Sequence, residues 1–93
     1  MAMWKFTITN GTTLREAIED GNSAATVEAL IVCFKELYSK LSAEDKDYYE
    51  FDIEDHIESL SIWNADENDD EDIDDHLAEF YDICDSVRAF VAI

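Results

Sequence analysis

Two histidines each follow an aspartate by four residues: Asp52 precedes His56, and Asp72 precedes His76. On a helix this spacing places both side chains of a pair on one face, one turn apart. Two such pairs facing each other would offer two nitrogen and two oxygen ligands to a transition metal. Acids are so frequent here that the spacing also arises by chance. We therefore favour histidines at the edge of the core, with pKa values raised by the surrounding acids, and predict no metal site and no cofactor.

A calcium site is suggested by oxygen-bearing residues at alternating positions, as in the loop of an EF-hand. The residues are Asp66, Asn68, Asp70, Asp72 and Asp74. The sixth position of such a loop needs glycine for its sharp turn, and the twelfth needs a bidentate glutamate. These positions hold Glu71 and Leu77, so we expect no specific calcium site.

The chain lacks the residue patterns that catalysis requires. Acid–base catalysis needs two carboxylates in contrasting environments, whereas this chain offers many similar ones. The sequence has no glycine-rich phosphate loop, no serine elbow and no cysteine–histidine pairing. Cys33 and Cys84 lie in periodic apolar stretches, where we expect reduced and buried thiols. The sequence thus predicts that the protein is not an enzyme.

The acidic charge is concentrated in one part of the chain. Of 93 residues, 24 are acidic and 6 are Lys or Arg, for a net charge of −18. Residues 44–85 hold nineteen of the acids and a single base, Lys46. The negative charge repels phosphates and so disfavours direct binding to nucleic acid. Its concentration in one part of the chain indicates an electrostatic field directed at a basic partner.

Length and apolar content limit the architecture. A chain of 93 residues has room for one hydrophobic core, so residues 1–93 are predicted to form a single domain. The longest apolar run, Ala29 to Phe34, is far shorter than a membrane span, and the N-terminus does not resemble a secretion signal. We expect a cytoplasmic protein with no membrane contact.

Hydrophobic periodicity predicts four helices after a short strand. Trp4, Phe6 and Ile8 alternate with polar residues, as in a half-buried strand that needs a pairing partner. The predicted helices run from Thr12 or Thr13 to Asp20, from Asn22 or Ser23 to Leu41, from Ala43 to Trp63, and from Asp70 to Ala89. In the second predicted helix the core-facing residues are Val27, Leu30, Ile31, Phe34, Leu37, Tyr38 and Leu41. In the third they are Tyr49, Ile53, His56, Ile57, Leu60 and Trp63. In the fourth they are Ile73, Leu77, Phe80, Ile83, Cys84, Val87 and Val91.

The segment from Tyr48 to Ile53 is compatible with two structures. Its residues fit the helical pattern, but Tyr49, Phe51 and Ile53 also alternate with acids as in a strand. We favour the helix and hence a mostly α fold, a small bundle of three to four helices with a short N-terminal strand or extended segment. The alternative is an α+β fold whose small sheet joins residues 3–9 and 48–53.

Acids recur at helical spacing on the predicted outer surfaces. Glu50, Glu54 and Glu58 repeat every four residues, with carboxylates about 6 Å apart, a spacing comparable with that of phosphates along a nucleic-acid strand. If residues 48–53 are helical, Phe51 and Ile62 project away from the core among acids, where exposed apolar side chains can anchor a protein partner. A merely solubilising surface is the alternative. The predicted partner-binding residues are Glu50, Glu54, Glu58, Asp69, Asp70, Asp75, Glu79, Asp82 and Asp85, with Tyr48, Phe51, Ile62 and Trp63 as apolar anchors.

In size, helical patterning and the acidic stretch from Glu44 to Asp85, the chain resembles the small acidic DNA-mimic inhibitors that phages and mobile elements use against restriction, CRISPR or other nucleic-acid enzymes. It is also similar to acidic immunity proteins that neutralise basic nuclease toxins. Both resemblances imply a stoichiometric inhibitor, of anti-CRISPR or anti-restriction type in the first case. Its partner would be a basic nucleic-acid-binding protein or a nuclease.

A competing interpretation is a structural or regulatory binding module whose partner has no connection with nucleic acids. In that case the strand from Trp4 to Ile8 would pair with the same strand of a second chain and form a homodimer. A dimer that persists at any salt concentration would favour this interpretation.

Overall fold

The strand at the start of the chain pairs with a strand at its end. The computed structural model describes residues 4–64 and 70–91. Strand β1 (Phe6–Ile8) is parallel to β2 (Ala89–Val91), with Phe6 opposite Ala89. Between them lie α1 (Gly11–Glu19), α2 (Ser23–Lys40), α3 (Ala43–Ser61) and α4 (Asp70–Val87). The predicted mostly α fold, a small helical bundle with a short N-terminal strand, is confirmed.

The alternative sheet between residues 3–9 and 48–53 is wrong, because the second segment lies inside α3. A strand would place Phe51 and Ile53 on the same side, since side chains two residues apart share a face. The structure instead buries Ile53 to 1% exposure and leaves Phe51 80% exposed. Only helical geometry separates these two residues in this way.

The last helix is shorter than predicted. It ends at Val87, not at Ala89, because Arg88 takes a left-handed φ of 63° that a right-handed helix cannot continue. The chain then enters β2, and the backbone N–H of Lys5 donates a hydrogen bond to the Arg88 carbonyl at 2.8 Å. Val91 therefore packs against the core from a strand and does not belong to the helical stripe.

Helix α2 lies at the centre of the core and packs against α1, α3, α4 and β1. Its Leu30, Phe34 and Leu37 are fully buried, as their helical spacing predicts. The Phe34 ring meets the Phe80 ring of α4 edge to face, with 5.2 Å between the centroids. The two acidic helices, α3 and α4, thus both pack against α2.

Local side-chain caps start two of the helices. The Asn22 side chain accepts a hydrogen bond from the Ala25 N–H at 3.1 Å at the start of α2. The Ser42 hydroxyl accepts one from the Asp45 N–H at 3.2 Å at the start of α3. Such caps satisfy backbone donors that have no partner within the helix, and both starts agree with the sequence prediction.

The start of α1 depends on a distant residue. The helix begins at Gly11, so the predicted start at Thr12 or Thr13 is wrong. The preceding turn is held by Glu36 of α2, whose carboxylate accepts hydrogen bonds from the N–H groups of Thr9 and Asn10 at 2.7 and 3.0 Å. A tertiary contact therefore fixes the turn before this helix, which has no side-chain cap.

None of the helices within residues 4–64 and 70–91 is long and apolar enough to cross a bilayer.

Candidate protein-binding surface

Helix α3 carries three large apolar side chains that the fold leaves in solvent. Phe51, Tyr48 and Ile62, the residue just after the helix, are 80%, 76% and 77% exposed. The predicted projection of Phe51 and Ile62 away from the core is confirmed. Ile53 and Leu60 on the opposite side are buried to 1%. One side of α3 thus holds the helix on the protein, while its other side is available for contact.

Acids surround the exposed ring of Phe51. Asp47 and Asp55 lie one turn before and one turn after it, and Glu54 lies three residues after it. These three acids are exposed. Sequence reasoning missed Asp47 and Asp55 as candidate residues, although their spacing of four residues from Phe51 was visible. We define the outer face of α3 as Asp47, Tyr48, Phe51, Glu54, Asp55 and Glu58.

The predicted acids differ in exposure. Glu54 and Glu58 of α3 and Asp75, Asp82 and Asp85 of α4 are exposed. Glu50 and Glu79 are half-buried, so each lies at the border of the core. Asp70 is the first residue of α4, and its side chain, like the whole of Asp69, lies outside the described part of the chain.

The acids of α3 are not neutralised by bases. Among the described residues, they form no ion pair with Lys or Arg. Ion pairs do join Arg15 to Glu19 within α1, and Lys40 to Glu36 within α2. Lys46, the single base of the acidic stretch, lies over the ring of Tyr38, 5.6 Å from its centroid. The outer face of α3 therefore projects an unbalanced negative field.

Acids of α3 and α4 act on one histidine where the two helices approach each other. Asp55 from α3 and Asp72 and Asp75 from α4 all act electrostatically on the same imidazole, that of His76. The two acidic helices thus contribute carboxylates to a shared junction.

Trp63, the fourth predicted anchor, is placed differently from the other three. It is half-buried and packs against the hydrophobic core. Its Nε1 is buried without a hydrogen-bond partner among the described residues. Trp63 therefore contributes to the closure of the core, and Tyr48, Phe51 and Ile62 remain as candidate anchors.

A pair of histidines links α3 to α4. The Nδ1 atoms of His56 and His76 are 2.7 Å apart, so one Nδ1–H donates to the other Nδ1. The two rings are nearly perpendicular, at 88°. The His56 ring also stacks on Phe34, with an interplanar angle of 3° and 5.2 Å between centroids. The sequence placed these histidines at the edge of the core, and both are half-buried there.

The expected rise in histidine pKa is wrong for His76. Burial lowers the pKa of its imidazole, and the neighbouring His56 lowers it further. The carboxylates of Asp72, Asp75 and Asp55 act in the opposite direction without reversing the shift. The proximity of a second imidazole was invisible in the sequence, because it depends on how α3 and α4 pack.

Neither metal pattern in the sequence appears as a complete site. Within residues 4–64 and 70–91, no group of three or more His, Cys, Asp or Glu side chains is arranged to hold an ion. Asp72 and Asp74 lie within α4, where the alternating positions of an EF-hand loop do not exist. Asp66 and Asn68 lie outside the described residues.

The two thiols are buried, as predicted. Cys33 and Cys84 are free cysteines in the core, with 0% and 2% exposure. Burial raises the pKa of each thiol to about 12, and the carboxylate of Glu36 adds to the rise at Cys33. Neither thiol can act as a nucleophile near neutral pH in this state.

Comparison with known proteins gives no match to this chain among protein families, curated sequences or solved structures.

Proposed function

We propose that this protein is a stoichiometric inhibitor that binds the basic groove of a nucleic-acid-handling protein and keeps DNA or RNA out of it. The observation that carries the proposal is the outer face of α3, where exposed carboxylates without basic partners surround an exposed aromatic ring. A basic groove that binds phosphates offers the complementary charge, and complementarity of this kind accelerates association and orients the partners.

The charge density of α3 supports this choice of partner. The helix has 19 residues and hence a length of about 28 Å. A duplex strand carries roughly eight phosphates over the same length of axis. Helix α3 carries eight acidic residues. Four of these acids lie on the outer face, so a groove that contacts this face would meet about half the charge of a duplex strand, and the other acids add to the long-range field.

Phe51 and Tyr48 support a specific contact over simple solubilisation. Acids that only keep a protein in solution need no aromatic rings among them. Aromatic residues are enriched among the side chains that contribute most to protein–protein affinity. Full burial of a phenylalanine side chain contributes about 2–3 kcal/mol. The aromatic rings would thus supply short-range affinity, and the acids would supply orientation.

The proposal is tested with two charge-reversal variants of equal net charge. The first carries Asp47→Lys, Glu54→Lys and Glu58→Lys, at three exposed acids of the outer face of α3. The matched control carries Glu16→Lys, Glu19→Lys and Asp20→Lys, at three exposed acids in and just after α1. Wild-type and control proteins, immobilised on resin, should retain a nucleic-acid-binding protein from host lysate and release it when duplex DNA or RNA is added. The α3 variant should retain none of it.

Circular dichroism of both variants checks that the helices are intact. Equal retention by the α3 variant would contradict the proposal, as would a partner that neither nucleic acid nor salt releases. If the released protein is a nuclease, the immunity-type function applies. If sedimentation instead shows a dimer that persists in high salt and the resin retains no partner, the homodimeric module replaces the inhibitor.

A further inference from the structure

A hydrogen bond between α3 and α4 holds two imidazole nitrogens almost as close together as two nitrogens that bind one metal ion. The two nitrogens are 2.7 Å apart, and the rings are nearly perpendicular. A zinc ion binds imidazole nitrogens at about 2.0–2.1 Å, which places two nitrogens on one ion roughly 3.0–3.4 Å apart. To bind one ion, the two nitrogens need to part by about half an ångström. The rings must also turn, because the two Nδ1 atoms point at each other across the hydrogen bond, whereas both lone pairs point at the metal in a complex.

We propose that His56 and His76 form a binding site for a divalent transition-metal ion, zinc or nickel, that clamps α3 to α4. The two Nδ1 atoms are the protein ligands that the fold has already brought together. Water completes the coordination shell, because no third His, Cys, Asp or Glu of the described residues is placed to join the two histidines. This site is independent of the proposed inhibitor function.

The surroundings of the pair favour a dication. The carboxylates of Asp55, Asp72 and Asp75 act electrostatically on the His76 imidazole, in the direction that favours a positive charge there. The net charge of −18 also raises the local concentration of cations. Imidazole nitrogens with carboxylate or water oxygens are a ligand set that zinc and nickel accept, whereas calcium and magnesium prefer oxygen alone.

The core holds one ring of the pair in position. The His56 ring lies flat against Phe34, which is fully buried in α2. A ligand that is already oriented loses little conformational freedom when a metal binds. The proton of the donating Nδ1 moves through solvent to Nε2 of the same ring, so both imidazoles remain neutral. If both imidazoles are neutral before the metal binds, metal binding releases no proton to the solvent.

The test uses untagged protein, because a polyhistidine tag would bind the same ions. Chelator-treated protein at pH 7.5 is titrated with zinc chloride in a calorimeter, and its thermal unfolding is measured with and without zinc. The same titrations are made on His56→Gln, His76→Gln and a control, Asp82→Asn, which removes an exposed acid of α4 and keeps both histidines. Magnesium chloride serves as the control ion.

We expect one zinc ion per wild-type chain, a higher Tm with zinc, and the same behaviour in Asp82→Asn. Each histidine variant should lose at least about tenfold in zinc affinity, since even the loss of a group that only supports a ligand costs about 10–100-fold. Equal zinc binding by wild type and both histidine variants would overturn the proposal and leave only diffuse binding to acids. A similar Tm rise with magnesium alone would have the same meaning.

A second readout does not depend on how well the variants fold. Zinc is diamagnetic, so the ring C–H signals of both histidines can be followed by NMR in the wild-type protein. The signals of His56 and His76 should change together and reach completion at one equivalent of zinc. If these ring signals do not move while zinc binds, the ion lies elsewhere and the proposal is wrong.

Discussion

Glu36 and Thr9 are 27 residues apart in the chain, yet the carboxylate of Glu36 accepts a hydrogen bond from the Thr9 N–H at 2.7 Å. The same carboxylate accepts from the Asn10 N–H and lies 3.0 Å from the Lys40 Nζ. Burial by itself would raise the pKa of Glu36, but these hydrogen bonds outweigh it and lower the pKa to about 2. One side chain of α2 thus connects β1, α1 and the end of its own helix.

We predict that Glu36→Gln lowers the free energy of unfolding by about 2 kcal/mol at pH 7, because it removes charge-assisted hydrogen bonds to a mostly buried acceptor. The ionised carboxylate stabilises the fold fully above the ordinary glutamate pKa of about 4.3. This contribution is lost as the pH falls from there towards about 2, the value in the folded protein. The stability difference between wild type and Glu36→Gln should therefore shrink over that range.

Urea unfolding from pH 7 to pH 2 measures the effect of Glu36. The free energies of unfolding of wild type and Glu36→Gln are compared at each pH. Their difference is the relevant quantity, because protonation of the many other acids relieves mutual repulsion in both proteins alike. Glu28→Gln, an exposed acid two turns earlier on α2, serves as the control and should match wild type. A Glu36→Gln difference that does not change with pH would contradict the assignment.

The exposed and buried phenylalanines should respond in opposite ways to truncation. Phe51→Ala should change the free energy of unfolding by less than about 0.5 kcal/mol, because its ring is 80% exposed. Phe80→Ala should cost about 3–5 kcal/mol, because its ring is fully buried against Phe34. Urea unfolding of both variants measures this contrast. A strongly destabilised Phe51→Ala would show that the ring serves the fold and is not available to a partner.

Cys33 and Cys84 should be inert in the native protein. A thiol reacts as its thiolate, and burial raises the pKa of both groups to about 12. Reaction with a disulfide reagent such as 5,5′-dithiobis(2-nitrobenzoate) at pH 8 should be slow in buffer and complete within minutes in 6 M guanidinium chloride. Cys33→Ser, in which Cys84 is the only thiol, shows whether the two react alike. Rapid reaction of the native protein would indicate frequent opening of the core.

Arg88 offers a route to higher stability. Its φ of 63° costs a residue with a Cβ about 1 kcal/mol, whereas glycine adopts this conformation freely. Arg88→Gly should therefore raise the free energy of unfolding by up to about 1 kcal/mol and keep the turn from α4 into β2. Arg88→Ala removes the same charged side chain but keeps a Cβ and hence the backbone strain. Comparison of the two variants therefore separates the effect of the lost charge from the effect of the relieved strain. If alanine stabilises as much as glycine, side-chain charge and not backbone strain is responsible.

Local patterns in the sequence determined most of the helices. The spacing of Leu30, Phe34 and Leu37 predicts the buried side of α2, because residues three and four apart share a helical face whatever the rest of the chain does. The caps at Asn22 and Ser42 act on backbone groups within three residues, so they too can be recognised without a tertiary structure. The exposure of Phe51 follows from the same helical geometry.

Only the tertiary structure decided which distant residues meet. The pairing of β1 with β2, the contact of Glu36 with Thr9 and the approach of His56 to His76 all depend on how the helices pack around Phe34. Each joins residues 20 or more positions apart, for which the sequence offers many competing partners, above all among its 24 acids. A pattern of residue types states what a side chain can do, whereas the packing of the core selects the neighbour with which it does so.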